Sequence, residues 1–252
     1  MARALLQTEG LTLRFGGVVA ANAITLDVAP DEVHAVIGPN GAGKTTLIGL
    51  VSGEIIPQEG SIRFDGADIT RLPVCSRSML GLARSFQITS LFRDFTALDN
   101  VALAVQAHCG HSFRFWRDAR GEDELRKPAL AALGRVGLDQ RAGVRVDKLS
   151  HGEHRQLEIA MALATEPRLM LLDEPMAGMG PEESARMVHM LRQLKGSVTI
   201  LLIEHDMEAV FALADRLTVL VDGRIIASGR PETVRADAAV RQAYLGEKGG
   251  RG

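Results

Sequence analysis

A glycine-rich segment between an apolar run and a helix-forming run constrains this chain most strongly. It contains Gly38-Pro-Asn-Gly-Ala-Gly-Lys44-Thr45-Thr46, and it follows an apolar run at residues 33–37. That run is typical of a buried strand, and the residues after the segment can continue as a helix. Glycines at such a turn let successive backbone N–H groups converge on phosphate oxygens at the helix N-terminus. The Gly-x4-Gly-Lys-Thr spacing in this context therefore predicts a nucleotide-phosphate cradle rather than a turn that binds nothing.

The cradle has two side chains with distinct expected chemistry. Lys44 is expected to reach the β- and γ-phosphates, and Thr45 is expected to offer its hydroxyl to Mg²⁺, which prefers oxygen ligands. The expected nucleotide contacts in this segment are Gly38, Pro39, Asn40, Gly41, Ala42, Gly43, Lys44, Thr45 and Thr46. This segment alone supplies phosphate binding and one metal ligand, so hydrolysis needs further groups.

Two later apolar runs end in residues with catalytic potential. The run at residues 168–172 is followed by Asp173 and Glu174, and the run at residues 197–203 ends just before His205. Buried parallel strands have this composition, and ligands bind at the carboxyl edge of such sheets. If the first strand neighbours the strand before the cradle, Asp173 can hold Mg²⁺ and Glu174 can orient or deprotonate an attacking water. His205 could donate an imidazole N–H to a γ-phosphate, whereas a histidine considered alone is more often structural.

A helical pattern over residues 154–165 is preceded by Leu149-Ser-His-Gly-Glu153. Ser150 is the expected N-cap, and Glu153, three residues on, completes the spacing of a capping box. The same helix N-terminus, with Ser150, Gly152 and Glu153, is a second possible phosphate site. Capping alone accounts for the same residues and is the preferred interpretation from these residues by themselves.

The N-terminal residues 5–28 alternate as short strands and predict an antiparallel β layer. Phe15 lies just before a glycine pair, which leaves its ring face accessible for stacking on an adenine. A core phenylalanine at a strand end is a nearly equal alternative.

Residues 82–86 indicate an extended segment, after which the chain changes character until about residue 146. Helices are expected at residues 97–107 and 122–136, which makes this region a candidate inserted subdomain. Aromatic and arginine residues are enriched there, as they are at protein interfaces. The aromatic residues are Phe86, Phe92, Phe95, Phe113, Phe115 and Trp116. A small core of the insertion's own is an equal alternative, and a nucleic-acid patch is a weaker one.

The composition narrows the class of protein and of partner. Hydrophobic residues make up 46% of the 252, which is ample for a packed core. The 29 basic and 31 acidic residues nearly balance, so charge gives no general case for nucleic acid or an anionic membrane surface. Cys75 and Cys109 are far apart, which suits a reducing compartment. No apolar run reaches the ~18 residues that span a bilayer, and no signal-peptide layout opens the chain. The expectation is a cytoplasmic protein whose membrane role, if any, comes through a partner.

The order of these motifs resembles the ABC (ATP-binding cassette) ATPase family over nearly the whole chain. The resemblance implies an α/β phosphate-loop NTPase core with a mixed or parallel sheet, an antiparallel β layer and an inserted α-helical subdomain. It implies a single domain over residues 1–252. Residues 1–86 and 166–252 would form the nucleotide-binding core with the β layer, and residues 87–165 the helical subdomain with the signature helix.

The same resemblance assigns expected roles to individual residues. In that family two cassettes enclose two ATP molecules, and the signature of one faces the phosphate loop of the other. The implied site comprises the Walker A loop Gly38 to Thr45, the Mg²⁺ and γ-phosphate sensor Gln87, the signature residues Ser150 and Gly152, the Walker B residue Asp173, the catalytic base Glu174, the switch histidine His205 and the adenine-stacking Phe15. Two positions depart from the family pattern. His151 replaces a common glycine of the signature, and Gly180 replaces an aspartate of the segment after Walker B.

A narrower resemblance is to the larger ATPase subunit of branched-chain amino acid importers. It rests on Arg84-Ser-Phe-Gln87, Leu91-Phe-Arg93, Ala177-Gly-Met-Gly-Pro181, Glu204-His-Asp-Met207 and Ala243-Tyr-Leu-Gly246. It implies ATP and Mg²⁺ as cofactors, a second identical or related ATPase subunit, two integral membrane permease subunits and, indirectly, an extracytoplasmic solute-binding protein. No nucleic-acid partner is implied, and the location would be peripheral on the inner face of the cell membrane. The alternatives are a soluble ABC ATPase of cofactor assembly or repair and a non-hydrolysing nucleotide-binding regulator.

Overall fold

The computed structural model describes residues 3–85, 91–108 and 123–245. Within these ranges the chain forms ten strands, nine α-helices and two short 3-10 turns. In chain order they are β1 (Leu6–Phe15), β2 (Val18–Val28), β3 (Val33–Ile37), α1 (Lys44–Ser52), β4 (Glu59–Phe64), β5 (Ala67–Asp68), α2 (Val74–Met79), β6 (Leu82–Arg84), α3 (Ala97–His108), α4 (Asp123–Arg135), the 3-10 turns Asp139–Arg141 and Val146–Lys148, α5 (His151–Leu163), β7 (Leu169–Asp173), α6 (Pro181–Leu194), β8 (Thr199–Ile203), α7 (Met207–Leu213), β9 (Arg216–Val221), β10 (Arg224–Gly229), α8 (Pro231–Ala236) and α9 (Ala238–Leu245).

The continuous apolar runs of the sequence form the larger sheet. Strands β3, β7 and β8 are buried at every position, as expected for parallel strands that are covered on both faces. The six strands lie in the order β10-β9-β3-β8-β7-β6, and only the edge strand β10 is antiparallel to its neighbour within this described sheet. The expected α/β class with a mostly parallel sheet is therefore confirmed.

The strand that precedes the glycine-rich segment and the strand that ends at Asp173 are not neighbours. Strand β8 lies between β3 and β7, so the condition that the two strands are neighbours is not met. The strand order depends on long-range pairing, which the local runs do not encode. Helix α1 nevertheless contacts β7, and the charge of Lys44 acts on Asp173. Helix α1 thus brings Lys44 close to Asp173, although β8 separates the two strands.

The alternating strands near the N-terminus form a second, antiparallel sheet in the order β2-β1-β4-β5, as the sequence predicts. Strands β9 and β10 form the hairpin that Asp222-Gly223 indicates, with positive φ angles of 47° and 73° at these two residues.

Arg77, on α2, is fully buried and connects the end of α1 to the segment after β5. Its guanidinium donates hydrogen bonds to the carbonyls of Leu50, Val51, Thr70 and Leu72.

The helices α3, α4 and α5 pack against one another around aliphatic side chains such as Val101, Leu133 and Leu157, all fully buried. The first two match the expected helices within about one residue, whereas α5 begins three residues before the pattern because Ser150 caps it. Phe92 and Phe95 are exposed and contact each other with ring centroids 5.4 Å apart, so they do not form the core of this region. Phe86, Phe113, Phe115 and Trp116 lie outside the described residues. None of the helices in the described ranges is both long and apolar enough to cross a membrane.

Candidate nucleotide site

The glycine-rich segment forms the turn between β3 and α1, and Lys44 folds back over it. The buried ammonium group of Lys44 donates hydrogen bonds to the carbonyls of Gly38, at 2.7 Å, and Pro39, at 3.0 Å. Helix α1 begins at Lys44 with Gly43 as its N-cap, and neither a capping side chain nor an acidic residue occupies its first turn. The first N–H groups of this helix therefore have no side-chain acceptor, which suits an anion.

Two glycines of the turn are required by close backbone approaches. A Cβ atom on Gly38 would lie 2.1 Å from the carbonyl oxygen of Leu220 on β9. Gly43 has a φ of 99°, and a Cβ atom there would lie 2.4 Å from the carbonyl oxygen of Ala20 on β2. The turn is thus held between the two sheets, and larger residues would displace it. Thr45 and Asn40 are exposed at the same turn, where a ligand can reach them.

Asp173 is a buried carboxylate at the carboxyl end of β7. Burial raises the pKa of Asp173, while the guanidinium of Arg84, with Nη2 3.4 Å from Oδ2, opposes the shift. Arg84 is also paired with the half-exposed carboxylate of Glu54. Arg84 therefore joins a surface carboxylate to the buried one.

Glu174 follows Asp173 in a left-handed conformation, with a φ of 48°, which is disfavoured for residues other than glycine. Its N–H donates to the carbonyl of Ile203, at 2.9 Å, which anchors the turn to the end of β8. The Glu174 carboxylate is one-third exposed and lies 3.9 Å from Nδ1 of His205, whose side chain is 62% exposed. The two predicted catalytic residues thus face each other at the edge of the sheet, within reach of solvent.

The structure adds Glu204, which the sequence reasoning did not single out. It is fully buried between the Glu174 turn and His205 and accepts backbone hydrogen bonds from both sides. Burial raises the pKa of Glu204, and the N–H groups of Met176 and His205 oppose this shift. The available signal was an acidic residue directly after a continuous apolar strand, but its partners are defined only by the tertiary fold.

The predicted second phosphate site lies at the N-terminus of α5. The capping box is confirmed: Ser150 Oγ accepts the N–H of Glu153 at 3.2 Å, and the Glu153 carboxylate accepts the N–H of Ser150 at 2.8 Å. Arg141 pairs with the same carboxylate and, with the Ser150 N–H, holds the pKa of Glu153 below its ordinary value, although burial acts in the opposite direction. Among the described residues, no hydrogen bond or ion pair joins Ser150, Gly152 or Glu153 to the glycine-rich turn. The glycine-rich turn and the N-terminus of α5 are therefore separate within one chain.

The two departures from the family pattern have local partners. His151 Nε2 lies 3.4 Å from the carbonyl oxygen of Ala177, which connects the N-terminus of α5 to the segment after Glu174. Gly180 is the N-cap of α6, and its N–H lies 3.4 Å from the carboxylate of Glu183.

Phe15 and Gln87 are the two remaining predicted site residues, and only Phe15 lies within the described ranges. Phe15 is 55% exposed at the end of β1, so the alternative of a core phenylalanine is wrong. The hairpin that follows Phe15 reaches the glycine-rich turn through Ala20, which is compatible with stacking on a base. Gln87 lies outside the described residues.

A groove of about 440 Å³ lies between α2, β6, α3 and α5. We call it the subdomain groove, and it is lined by apolar side chains that include Val74, Met79 and Phe92. These three are 41%, 64% and 55% exposed, which is unusual for large apolar residues on one surface. Arg84 lines this groove and also pairs with Asp173, so one side chain contacts both the groove and the buried carboxylate.

The strand-loop-helix cradle, the carboxylates at the end of β7 and the helical region beside a mostly parallel sheet together define a phosphate-loop nucleotide-binding protein with an inserted helical region. Comparison with known families makes this specific. The ABC transporter family model matches residues 21–177, and a model for branched-chain amino acid ATP-binding cassette transporters matches residues 224–249. The chain therefore belongs to the ABC transporter family, and its fold is that of the family's ATP-hydrolysing cassette.

Individual relatives agree over nearly the full length. The chain is 39% identical to the high-affinity branched-chain amino acid transport ATP-binding protein BraF of Pseudomonas aeruginosa, over 98% of this chain and all of that protein (100%). It is 37% identical to the corresponding protein LivG of Escherichia coli K12, with the same coverage of 98% and 100%. A crystal structure of the ADP conformation of an ATP-binding cassette of an ABC transporter superimposes with a TM-score of 0.86 at 30% identity, over 97% of this chain and 100% of that one. These similarities do not favour the alternative of a cassette ATPase in cofactor assembly or repair.

Proposed function

We propose that this chain binds and hydrolyses ATP and thereby powers import through a membrane permease, with branched-chain amino acids or related small organic acids as cargo. The observation that carries the proposal is the meeting of the cradle, Asp173, Glu174 and His205 at the carboxyl edge of one sheet. The matched model at residues 224–249 and the names of the relatives support the cargo class. We assign all 252 residues to a single cassette, with residues 87–165 as its helical subdomain.

ATP binding would use the backbone and Lys44. The N–H groups at the start of α1 would donate to the phosphates, and the third N–H of the Lys44 ammonium group would remain for a phosphate oxygen. Gly38 to Thr46 would enclose the triphosphate, and the exposed ring of Phe15 would stack on the base. Since these groups bind the nucleotide, Asp173 remains available for the metal ion and Glu174 for hydrolysis.

The residues present fit a Mg²⁺ ion. Thr45 offers an exposed hydroxyl, and Asp173 offers a buried carboxylate whose cationic partner, Arg84, lies at the long distance of 3.4 Å. A hard divalent cation prefers such oxygen ligands and keeps several waters. We propose that Thr45, Asp173 and Gln87 hold this ion. When bound, it neutralises charge on the β- and γ-phosphates.

Hydrolysis would depend on Glu174 and His205. The partly exposed carboxylate of Glu174 can accept a proton from a water aligned with the γ-phosphate. His205 lies beside it and can donate an N–H to a γ-phosphate oxygen, which stabilises the charge that develops there. The proton thus moves from water to Glu174 while the phosphate contact is made by the imidazole.

A second cassette, identical or related, would complete the site. Ser150, Gly152 and Glu153 lie at an exposed helix N-terminus that makes no described contact with the chain's own cradle. In the proposed dimer this helix N-terminus faces the cradle of the partner, so ATP is enclosed between two chains. Hydrolysis and dimer opening would then be linked.

The permease would dock at the subdomain groove. We propose that each of two integral membrane subunits inserts a short amphipathic helix between α2 and α3 of one cassette of the dimer, and that this holds the cassettes on the inner face of the membrane. Arg84 would relay occupancy of the groove to Asp173, because it contacts both. An extracytoplasmic solute-binding protein would deliver the cargo to the permease.

Reconstitution tests this proposal. The chain is incorporated with its permease into proteoliposomes, and ATP-dependent uptake of leucine is measured in the presence of the binding protein. We expect uptake to require ATP, and we expect Met79→Ala with Phe92→Ala to reduce it while basal ATPase activity remains. Leu130→Ala is the matched control, because Leu130 is an exposed leucine on α4 outside the groove. Full uptake by the double variant would contradict the docking surface, and the absence of ATP hydrolysis by the wild type would contradict the function.

A further inference from the structure

The geometry points to Glu204 as a positioning residue that fixes the separation of Glu174 and His205. None of the motifs in the chain assigns a role to this side chain. The inference rests on the catalytic roles proposed above for Glu174 and His205. It adds that their arrangement is set by a third carboxylate, which is fully buried.

One buried carboxylate joins the two catalytic segments. Glu204 follows β8 and is fully buried. Its Oε1 accepts the N–H of Met176, in the turn after Glu174, at 3.0 Å. Its Oε2 accepts the N–H of His205 at 3.0 Å. The same side chain therefore holds the backbone of both segments, one through each oxygen.

The segment that carries Glu174 needs such support. A φ of 48° at Glu174 is a left-handed conformation, which residues with a Cβ atom adopt only where the surroundings fix it. Three hydrogen bonds fix it here: Glu174 N–H to Ile203 O at 2.9 Å, Ala177 N–H to Glu174 O at 3.0 Å, and the bond from Met176 to Glu204. Only the last of these three uses a side chain, so it is the one that substitution can remove.

The residue type follows from the two bonds. Both partners are N–H donors, so both oxygens must accept, which a carboxylate does and a glutamine does not. The amide nitrogen of a glutamine would face one of the N–H groups and leave it without an acceptor. An aspartate keeps the charge but is shorter by one methylene, so it cannot reach both segments from the same backbone position. A buried charge is costly, and this double acceptance offsets part of the cost, since burial still raises the pKa of Glu204.

Loss of this link should affect chemistry more than ATP binding. The cradle side chain Lys44 bonds to Gly38 and Pro39, and neither contacts Glu204 among the described hydrogen bonds. Glu174 and His205, in contrast, lie 3.9 Å apart on the two segments that Glu204 joins. Small displacements of reacting groups lower catalytic rates steeply. A changed kcat with an unchanged KM is therefore the expected signature.

The test compares Glu204→Gln and Glu204→Asp with Asp206→Asn in the full-length chain. Asp206 is the matched control because its carboxylate lies in the same segment but caps α7 through the N–H groups of Glu208 and Ala209. We expect each Glu204 variant to lose about 10- to 100-fold in kcat for ATP hydrolysis, with KM changed by less than about twofold. Asp206→Asn should remain within about twofold of the wild type. Thermal unfolding of each variant verifies that it is folded at the assay temperature.

A double variant separates positioning from a general structural effect. In a His205→Ala background, Glu204→Gln should cost less than about threefold in single-turnover rate, because one of the two groups that Glu204 positions is already absent. A wild-type kcat in both Glu204 variants, an equal loss in both backgrounds, or a loss confined to KM would overturn the inference. If Glu174→Gln abolishes turnover while the Glu204 variants remain fully active, the inference fails and the proposed function stands. If Glu174→Gln turns over normally, the proposed function fails first.

Discussion

Replacement of Lys44 by methionine tests whether the cradle binds the triphosphate as its geometry indicates. The Lys44 ammonium group has three N–H donors, and two of them are used by the carbonyls of Gly38 and Pro39. One donor remains for a phosphate oxygen. A hydrogen bond from a charged donor contributes about 1.5–3 kcal/mol, so Lys44→Met should weaken ATP binding by about 10- to 150-fold. Methionine fills similar space without the charge, although it also removes the two hydrogen bonds to the Gly38 and Pro39 carbonyls.

Calorimetric titration of the isolated chain with ATP and, separately, with AMP measures this effect. AMP lacks the β- and γ-phosphates, so its affinity should change by less than about twofold. Lys127→Met is the control variant, because Lys127 is an exposed lysine on α4 with its side chain 77% accessible. Equal affinity of wild type and Lys44→Met for ATP, or an equal loss for ATP and AMP, would refute the reasoning.

Three further predictions concern a buried arginine on α2, a buried glutamate on α5 and a glycine of the turn before α1. Arg77→Met removes the four carbonyl contacts of a fully buried guanidinium and should lower the free energy of unfolding by about 3–5 kcal/mol in urea titrations, whereas a loss below about 1 kcal/mol would contradict its structural role. Burial raises the pKa of Glu158 above its ordinary value of 4.5, so above this pH the folded state retains a proton that the unfolded state has lost. The free energy of unfolding of the wild type should therefore fall relative to that of Glu158→Gln as the pH rises above 4.5. A difference between the two proteins that does not change with pH would contradict this prediction. Gly38→Ala places a Cβ atom 2.1 Å from the Leu220 carbonyl oxygen and should destabilise the fold by about 1–3 kcal/mol and weaken ATP binding, while Gly134→Ala, which meets open space on α4, should do neither; equal effects of the two would argue against the close approach.

Local patterns in the sequence predict the parts of this structure whose geometry is local. The glycine-rich turn, the capping box at Ser150 and the Asp222-Gly223 hairpin each depend on residues within a few positions of one another. Hydrogen-bonding groups and backbone preferences within such a span determine the conformation, so the residue types suffice.

Features that depend on distant pairing could not be predicted in the same way. Strand β8 lies between β3 and β7, although the apolar runs alone give no strand order. Exposure of Phe15 is likewise decided by which face of the N-terminal sheet is covered. Glu204 lies in the Glu204-His-Asp-Met207 segment, but that segment predicts no role for it, because its partners are the backbone N–H of its neighbour and that of Met176, which is 28 residues away. Arg84 and Asp173 meet for the same reason, across parallel strands β6 and β7.

We propose that Glu174 performs chemistry at a site that other residues build for binding. Its most direct test is ATP binding and turnover by Glu174→Gln, with Glu124→Gln as the control, because Glu124 is an exposed glutamate on α4. Glutamine keeps the size of the side chain but cannot accept the proton of water as a carboxylate does. We predict that ATP affinity remains within about twofold of the wild type while kcat falls by about 10²- to 10⁴-fold. Turnover of Glu174→Gln at the wild-type rate would contradict the account.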